Sequence, residues 1–309
     1  MKAKQVKLRG TKVRLLKKSK YIDPLSDWGF KRLFGSEPQK EILIDFLNAL
    51  FEGHKQIVDL VYSPTEYSGE SKETSKVFFD LNCTGADGEN FVIEMQRGEQ
   101  LYFSDRVVYY LSRLVSEQFK NGETDWRNKG LKEVYLISLL DFVLSNSTEK
   151  RYLRNITLSD TETGEVFYSK LAYKFIELPN FVKTEAELVT NIDKWLYLLK
   201  NLNTLKKIPA LLNKRIFERV FKIAEIANLT NEERVMYNAS LKSKMDYDGS
   251  IAFAEDRAFE KGLEKGAQLE RAKAESEKRE TACNLKNMSM PVEDIAKVTG
   301  LSIQEIEAL

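Results

Sequence analysis

Two acidic residues lie in apolar stretches of the sequence, where strands are expected and charges are costly. The segment FFDLNCTGADGENFVIEMQ places Asp80 before a glycine-containing turn and Glu94 after it. Gln96 shares a strand face with Glu94, because side chains alternate along a strand. Two close carboxylates repel each other unless a cation lies between them, and their oxygens suit Mg²⁺ or Mn²⁺. A metal held there can activate a water and stabilise charge on a phosphate, so these residue types predict phosphodiester hydrolysis.

The length of the turn decides whether the two carboxylates share a face of the hairpin. A two-residue turn at Asp87-Gly88 would place them on opposite faces and exclude a shared metal site. We predict a three-residue loop, Ala86 to Gly88, with Gly88 in the left-handed conformation and Asp80 directly opposite Glu94. The other face would then be apolar, with Phe79, Leu81, Ile93 and Met95. In the simpler interpretation, the hairpin has one solvated face and neither acid does chemistry.

The elements around this hairpin predict an α/β fold, with a mixed central sheet flanked by helices and an α-helical C-terminal region. Apolar residues recur at helical spacing in PQKEILIDFLNALFEG, before the hairpin, and LYFSDRVVYYLSRLVSEQFKNG follows it as a second helix. The near-continuous apolar run EVYLISLLDFVL is typical of a strand buried on both faces. This mixed order indicates a sheet with helices packed on it. We expect five regions: a basic N-terminal arm (1–20), the sheet domain (21–182), a helical extension (183–250), a charged linker helix (251–280) and a small helix-turn-helix-like unit (281–309).

Composition limits the chemistry that the chain can use. Its 309 residues include one histidine and two cysteines, which argues against histidine-rich zinc sites and histidine-activated nucleophiles. Any bound metal must therefore rely on carboxylates. The two cysteines lie far apart in the sequence and favour a reduced, cytoplasmic location. No run of eighteen apolar residues is present, so we expect no membrane span.

Charge is distributed unevenly, although the net charge is only +1. The first twenty residues contain nine Lys or Arg and no acid. A basic block of this kind can bind the phosphates of a nucleic acid, and it can equally serve as a solubilising tail.

The residues around the hairpin resemble the PD-(D/E)XK nuclease superfamily, and within it the recombination-promoting (Rpn-type) nucleases that are also described as transposases. Asp80 and the IEMQ segment at residues 93–96 carry the resemblance, with SDWGFKRLFG and FLNAL before them and DRVVYYLSRLVSEQFKNG after them. It covers residues 20–145 well and the helical remainder more loosely. It implies a restriction-endonuclease-like core with a central four-stranded mixed sheet flanked by helices.

The resemblance further implies that Asp80 and Glu94 are metal ligands, with Mg²⁺ or Mn²⁺ as cofactor and DNA as substrate. Gln96 stands where the superfamily name has lysine, and it would orient the attacking water. A neutral amide lacks the positive charge of lysine, for which Arg97 and Lys76 are nearby substitutes. The implied function is a metal-dependent DNA endonuclease of the recombination-promoting nuclease/transposase type. The alternative is a catalytically inactive relative that acts as a DNA-binding or protein-interaction module.

Five further residues are candidates for the site or for contacts with DNA. Asp27 could help to bind the metal, although an acid at this place can also cap a helix. Glu41 could supply a further acid from the first long helix, or it could face solvent. Arg97, Arg106 and Tyr109 could contact DNA, whereas the alternative for the last two is packing against the sheet.

The last segment, MPVEDIAKVTGLSIQEIEAL, has the spacing of a helix-turn-helix. Ala296 would let two helices cross, Gly300 would make the turn, and Ile306 would fill the space behind the second helix. The second helix carries Glu305 and Glu307 but no Lys or Arg, which would repel phosphates. This charge favours a helical packing or protein-contact unit over a DNA reader, and the C-terminal helices could also assemble a homo-oligomer.

Overall fold

The computed structural model describes residues 19–67, 77–118, 130–145 and 149–309 of the chain. These residues divide into two compact units, one covering described residues up to Ser243 and the other Lys244–Leu309. Of the basic arm predicted over residues 1–20, all but Ser19 and Lys20 lie outside the described residues, as does Lys76. In the part of the chain that the structure describes, no helix has the length and apolar character needed to cross a membrane.

Two helices precede the sheet, α1 (Asp27–Phe34) and α2 (Lys40–Leu50). The hydroxyl of Ser26 accepts a hydrogen bond from the N–H of Gly29 and so caps α1. Ser26 therefore provides the cap, and Asp27, which could also have capped this helix, is its first residue. The side chain of Asp27 is therefore available for other contacts.

The strands of the larger unit form one six-stranded mixed sheet and one separate two-stranded pair. Their bounds are β1 (Leu60–Tyr62), β2 (Glu66–Tyr67), β3 (Val77–Phe78), β4 (Leu81–Gly85), β5 (Asn90–Gln96), β6 (Val134–Leu140), β7 (Leu153–Ser159) and β8 (Val166–Glu177). The strand order is β1-β4-β5-β6-β8-β7, with β5, β6 and β8 parallel and the other neighbours antiparallel, while β2 pairs with β3. The four-stranded sheet implied by the resemblance is therefore too small, because β1 and β7 extend it at its two edges.

The hairpin of β4 and β5 has the loop that its sequence predicts. The two strands pair in one continuous register: Leu81 with Ile93, Asn82 with Val92, Cys83 with Phe91 and Thr84 with Asn90. The N–H of Gly85 donates to the carbonyl of Glu89 at 2.8 Å, which leaves a three-residue loop, Ala86 to Gly88. Gly88 has a φ of +82°, a conformation that glycine adopts at little cost. The predicted three-residue loop is confirmed, and beyond the last strand pair the N–H of Asp80 donates to the carboxylate of Glu94.

The first strand of the hairpin begins later than the apolar pattern suggests. Asp80 lies at a bend between β3 and β4 and is not inside a strand. Because the chain turns there, Phe79 does not share a face with Leu81, and its ring packs edge-on against Tyr110 with 5.4 Å between centroids. The prediction for the apolar face is therefore wrong for Phe79. It holds for Leu81, Ile93 and Met95, which share one core.

Helices cover both faces of the sheet. On one face, α1 and α2 pack together with two later helices, α4 (Asn191–Asn201) and α5 (Arg215–Ala224). On the other face lies α3 (Phe103–Glu117), which follows β5 in the chain and packs on β6. β6 is buried along its whole length, as its apolar run predicts. Trp195 of α4 is fully buried in contact with the rings of Phe46 and Phe217, so residues of the helical extension share a core with the sheet.

The C-terminal helices form the smaller unit. α6 spans Asn231–Asn287, and its residues from Lys244 onward belong to this unit together with α7 (Val292–Thr299) and α8 (Ile303–Glu307). Gly300 has a φ of +72° and ends α7, as the helix-turn-helix spacing predicts. The region predicted as a charged linker helix lies within α6 and is exposed along most of its length. A small core joins the three helices through Ala282, Ile295, Leu301 and Ile306.

Candidate active site

The bend before β4 brings the two predicted metal ligands together. The N–H of Asp80 donates to Oε1 of Glu94 at 3.3 Å, and the N–H of Met95 donates to Oδ2 of Asp80 at 2.8 Å. Glu94 is only 5% exposed, whereas the side chain of Asp80 is 22% exposed. The two carboxylates are thus fixed by backbone N–H groups, and Asp80 lies nearer to solvent.

The protein compensates the negative charge of this pair only in part. Burial, with the charge of Asp80 as the next cause, raises the pKa of Glu94 to about 8. Burial also raises the pKa of Asp80, although the N–H of Met95 and the charge of Lys31 oppose this shift. A divalent cation favours the ionised form of both carboxylates and so would relieve the unfavourable environment.

Replacing Glu94 by glutamine should stabilise the protein in the presence of a chelator, increasingly so as the pH rises. The folded-state pKa of about 8 lies above the ordinary value of 4.5, so the folded protein keeps a proton that the unfolded chain loses between these values. The parent therefore loses on the order of 1–3 kcal/mol of unfolding free energy across this window, and the glutamine variant does not. Urea unfolding of both proteins between about pH 5.5 and 8.5 measures the difference. A difference that shrinks with rising pH would contradict the assignment.

The donors around the pair fit a hard divalent cation. Ser138 of β6 lies beside Glu94 in the parallel register and is fully buried, and its hydroxyl has no hydrogen-bond partner within the described ranges. A buried hydroxyl is costly unless a polar group completes its bonding, and this one lies on the strand position paired with Glu94. Oxygen donors together with water suit Mg²⁺ and Mn²⁺. Among the described residues, no cluster of three or more His, Cys, Asp or Glu is suited to a metal, so the carboxylates at this place are limited to a pair.

Gln96, the third predicted site residue, also lies at this pair. It ends β5 and is half-buried, and its Nε2 donates to Oε2 of Glu94 at 3.0 Å. The amide nitrogen is thus engaged with a carboxylate, while the amide oxygen can accept a hydrogen bond from a water. Gln96 supplies no positive charge to the site.

Lys31 of α1 belongs to the site and was not among the residues predicted from the sequence. Its Nζ lies 2.8 Å from Oδ1 of Asp27 and 3.9 Å from Oδ1 of Asp80. Burial lowers the pKa of Lys31, but the hydrogen bond that its ammonium group donates to Asp27 and the charges of Asp27, Asp80 and Glu94 outweigh burial and raise the pKa overall. Its one-turn spacing from Asp27 in SDWGFKRLFG was the available signal. Asp27 pairs with Lys31, and its part in metal binding stays a prediction.

The remaining candidates lie at different distances from this centre. Arg106 of α3 is close enough for its charge to lower the pKa of Glu94, and Tyr109 is exposed on the same helix. Arg97 follows Gln96 directly and is half-buried. Glu41 of α2 is exposed and forms a salt bridge with an arginine of α5, so its carboxylate is engaged there.

Comparison with known protein families shows a match over most of the chain. The family model for PD-(D/E)XK nuclease family transposases matches residues 24–254, which include α1, the hairpin with its carboxylate pair and α3. No curated protein and no solved structure matches the chain. The matched residues make up most of the chain, and the mixed sheet with helices on both faces is consistent with the fold of this family. The chain therefore belongs to the PD-(D/E)XK nuclease family of transposases.

Proposed function

We propose that the chain is a metal-dependent DNA endonuclease of the recombination-promoting type, which hydrolyses phosphodiester bonds with Mg²⁺ or Mn²⁺ bound at Asp80 and Glu94. The observation that carries this proposal is the pair of neighbouring carboxylates held by backbone N–H groups, of which Glu94 is buried and has a raised pKa. Family membership supports nuclease chemistry and DNA as the substrate. Both cysteines are free, which accords with the proposed cytoplasmic location.

The residues of the chain would position the reactants. A divalent cation at the two carboxylates supplies charge stabilisation to the phosphate and lowers the pKa of a bound water. Backbone N–H groups fix the carboxylates, and Gln96 holds Glu94 while its amide oxygen orients the attacking water. Arg106 and Tyr109 would contact the DNA backbone from α3, together with Arg97 and the basic arm.

Cleavage of a supercoiled plasmid tests the proposal. With Mg²⁺ or Mn²⁺ we expect nicked and then linear DNA, and with a chelator we expect no product. The assay needs a range of about pH 6 to 9, because the ionisation of Glu94 governs metal binding. A purified protein that binds either metal but leaves the plasmid intact throughout this range would contradict the proposal.

A second candidate function is that of a catalytically inactive relative, a DNA-binding or protein-interaction module. The observation in its favour is the neutral side chain of Gln96 at the position of the motif lysine. On this proposal the C-terminal helices would provide the contact surface, including contacts between copies of the chain. Two results would favour it. One is DNA binding without cleavage. The other is a mass in solution above the 35.7 kDa of a single chain, which falls to the mass of a single shortened chain when residues 251–309 are removed.

A further inference from the structure

The proposed nuclease lacks a positive charge where its family motif has lysine. Phosphodiester hydrolysis develops negative charge on the phosphate oxygens, and a cationic side chain lowers the barrier when it is already in place. Gln96 cannot do this, because its amide is neutral and its nitrogen donates to Glu94. If the site cleaves DNA, another cation of the chain can add to the charge stabilisation that the metal supplies.

Within the part of the chain that the structure describes, Lys31 and Arg106 are the cations whose charges lower the pKa values of the two carboxylates. The charge of Arg106 lowers the pKa of Glu94, but its guanidinium donates to Gln100 and to the hydroxyl of Tyr110, and it lies 5.7 Å from the centre of the Tyr110 ring. Arg106 is therefore engaged with side chains of its own helix and of the loop before it. Lys31 is engaged with acids at the site itself.

Lys31 lies on the open side of the carboxylate pair. Its side chain is 46% exposed, that of Asp80 is 22% exposed, and Glu94 is 5% exposed. Nζ is 3.9 Å from Asp80 and 2.8 Å from Asp27, so the ammonium group is held above the outer carboxylate and still faces solvent. A phosphate approaching Asp80 from solvent would meet this ammonium group.

The packing of α1 fixes the position of Lys31. Phe30, Leu33 and Phe34 of α1 are buried, which leaves Lys31 on the solvent side of the helix. The hydroxyl of Tyr62 donates to the carbonyl of Phe34, and a Cβ at Gly35 would lie only 3.1 Å from the side chain of Leu81. The end of α1 therefore packs directly against Leu81, which is the first residue of β4 and follows Asp80 in the chain.

The simplest alternative is an ordinary salt bridge between residues four apart on a helix. Such a pair contributes little to stability and has no effect on chemistry. It would explain the contact with Asp27, but it does not require the approach to Asp80, which comes from a different element.

We propose that Lys31 contacts a non-bridging oxygen of the scissile phosphate and supplies the positive charge that Gln96 does not, with Asp27 as the residue that positions its ammonium group. This inference rests on the proposed function. Hydrolysis forms a P–O bond to the water oxygen and breaks the P–O bond to the leaving sugar oxygen. The water gives up a proton and the leaving oxygen takes one up. Lys31 keeps its own proton throughout and acts through its charge.

Plasmid cleavage by the full chain with Mn²⁺ tests the inference with four variants. We expect Lys31→Met to lower kcat by about 100-fold, and Lys31→Arg to retain more activity than Lys31→Met because it keeps the charge. Adding Gln96→Lys to Lys31→Met should raise kcat again by at least about tenfold, because a lysine then stands at the motif position. The matched control is Lys40→Met, because Lys40 also pairs with a nearby acid of its helical segment, Glu37. This variant should cleave the plasmid like the parent.

Binding of Mn²⁺ provides a readout that is independent of cleavage. Removing a positive charge 3.9 Å from Asp80 should tighten Mn²⁺ binding by about threefold or more, while cleavage falls. Opposite changes in the two measurements support the inference. Two results would show that Lys31 has a structural role and would overturn the inference. One is a parallel loss of Mn²⁺ binding and cleavage. The other is a loss of cleavage that neither Lys31→Arg nor Gln96→Lys restores.

The outcomes also separate this inference from the proposed function. If the parent cleaves and Lys31→Met cleaves equally well, only the role of Lys31 is wrong. If the parent does not cleave under any condition, the proposed function fails and the inference fails with it.

Discussion

Glu94→Gln and Asp80→Asn should each lower metal-dependent DNA cleavage by about 10³-fold, because each replaces an anionic ligand with a neutral amide of nearly the same size. The effect corresponds to about 4 kcal/mol in the barrier, the scale expected when a catalytic cation is lost or misplaced. Both variants should still fold, and Glu94→Gln should be the more stable protein at alkaline pH because burial raises the pKa of Glu94. Initial rates of plasmid nicking with Mn²⁺ measure the loss of cleavage, and Mn²⁺ binding is measured on the same variants.

The same hairpin offers a matched control in Glu89. Glu89 is 4% exposed, close to the 5% of Glu94, but it lies at the loop end of the hairpin. Its carboxylate accepts the N–H of Asp87 and lies 3.3 Å from Nζ of Lys55. Glu89→Gln therefore makes the same chemical change at a similarly buried place, and should reduce stability while leaving cleavage within about threefold of the parent.

Two results would count against the assigned carboxylates. Cleavage by Glu94→Gln at nearly the parental rate would mean that the site lies elsewhere. An equal loss in Glu89→Gln and Glu94→Gln would mean that the assay reports the integrity of the hairpin and not its chemistry. Measuring the unfolding transition of each variant separates these two explanations.

The register of the hairpin could be predicted because local features determine it. Side chains alternate with a period of two, and a glycine placed to adopt a positive φ selects the three-residue loop. Gly88 has that conformation, and the pairing of Leu81 with Ile93 follows from it. Burial of both residues on one face then disfavours any shift by a single position.

The contacts that the sequence did not predict depend on packing between distant elements. Phe79 continues the apolar pattern of β4, yet the bend at Asp80 turns its ring toward Tyr110 of α3. Lys31 is 49 residues from Asp80 in the sequence, and only the packing of α1 against the start of β4 brings its ammonium group to the site. Periodicity identified both elements but not which of their faces would meet.

Truncation should show that the sheet domain cannot fold within residues 1–182, the boundary that the sequence suggests. The fragment 1–182 should lack a cooperative unfolding transition, whereas 1–250 should keep one. The first cut removes α4 and α5, which supply large side chains to the core that covers one face of the sheet: Trp195, Leu196, Leu199, Phe217 and Phe221. Circular dichroism during heating, with dye binding to exposed apolar surface, distinguishes the two fragments.

The free energy of unfolding that this truncation removes is larger than the stability of a typical domain. Trp195 is fully buried, contacts Phe46 of α2, and donates its indole N–H to Asp45 at 2.8 Å. Truncating one such residue to alanine costs about 3–5 kcal/mol, and a whole domain has only about 5–15 kcal/mol of stability. Removing several of these residues together therefore leaves no stable fold, and a cooperative transition in the 1–182 fragment would contradict this account.

The 1–250 fragment tests the boundary predicted at residue 250, between the helical extension and the charged linker helix. It keeps Tyr237, whose hydroxyl accepts the N–H of Asp23, and it removes the end of α6 with α7 and α8, which have a small core of their own. Since Asp80, Glu94 and Lys31 all lie in the larger unit, the 1–250 fragment should also retain metal-dependent cleavage, within about threefold of the full chain. Cleavage that needs residues 251–309 would instead assign the C-terminal helices a part in binding DNA or in assembling the active form.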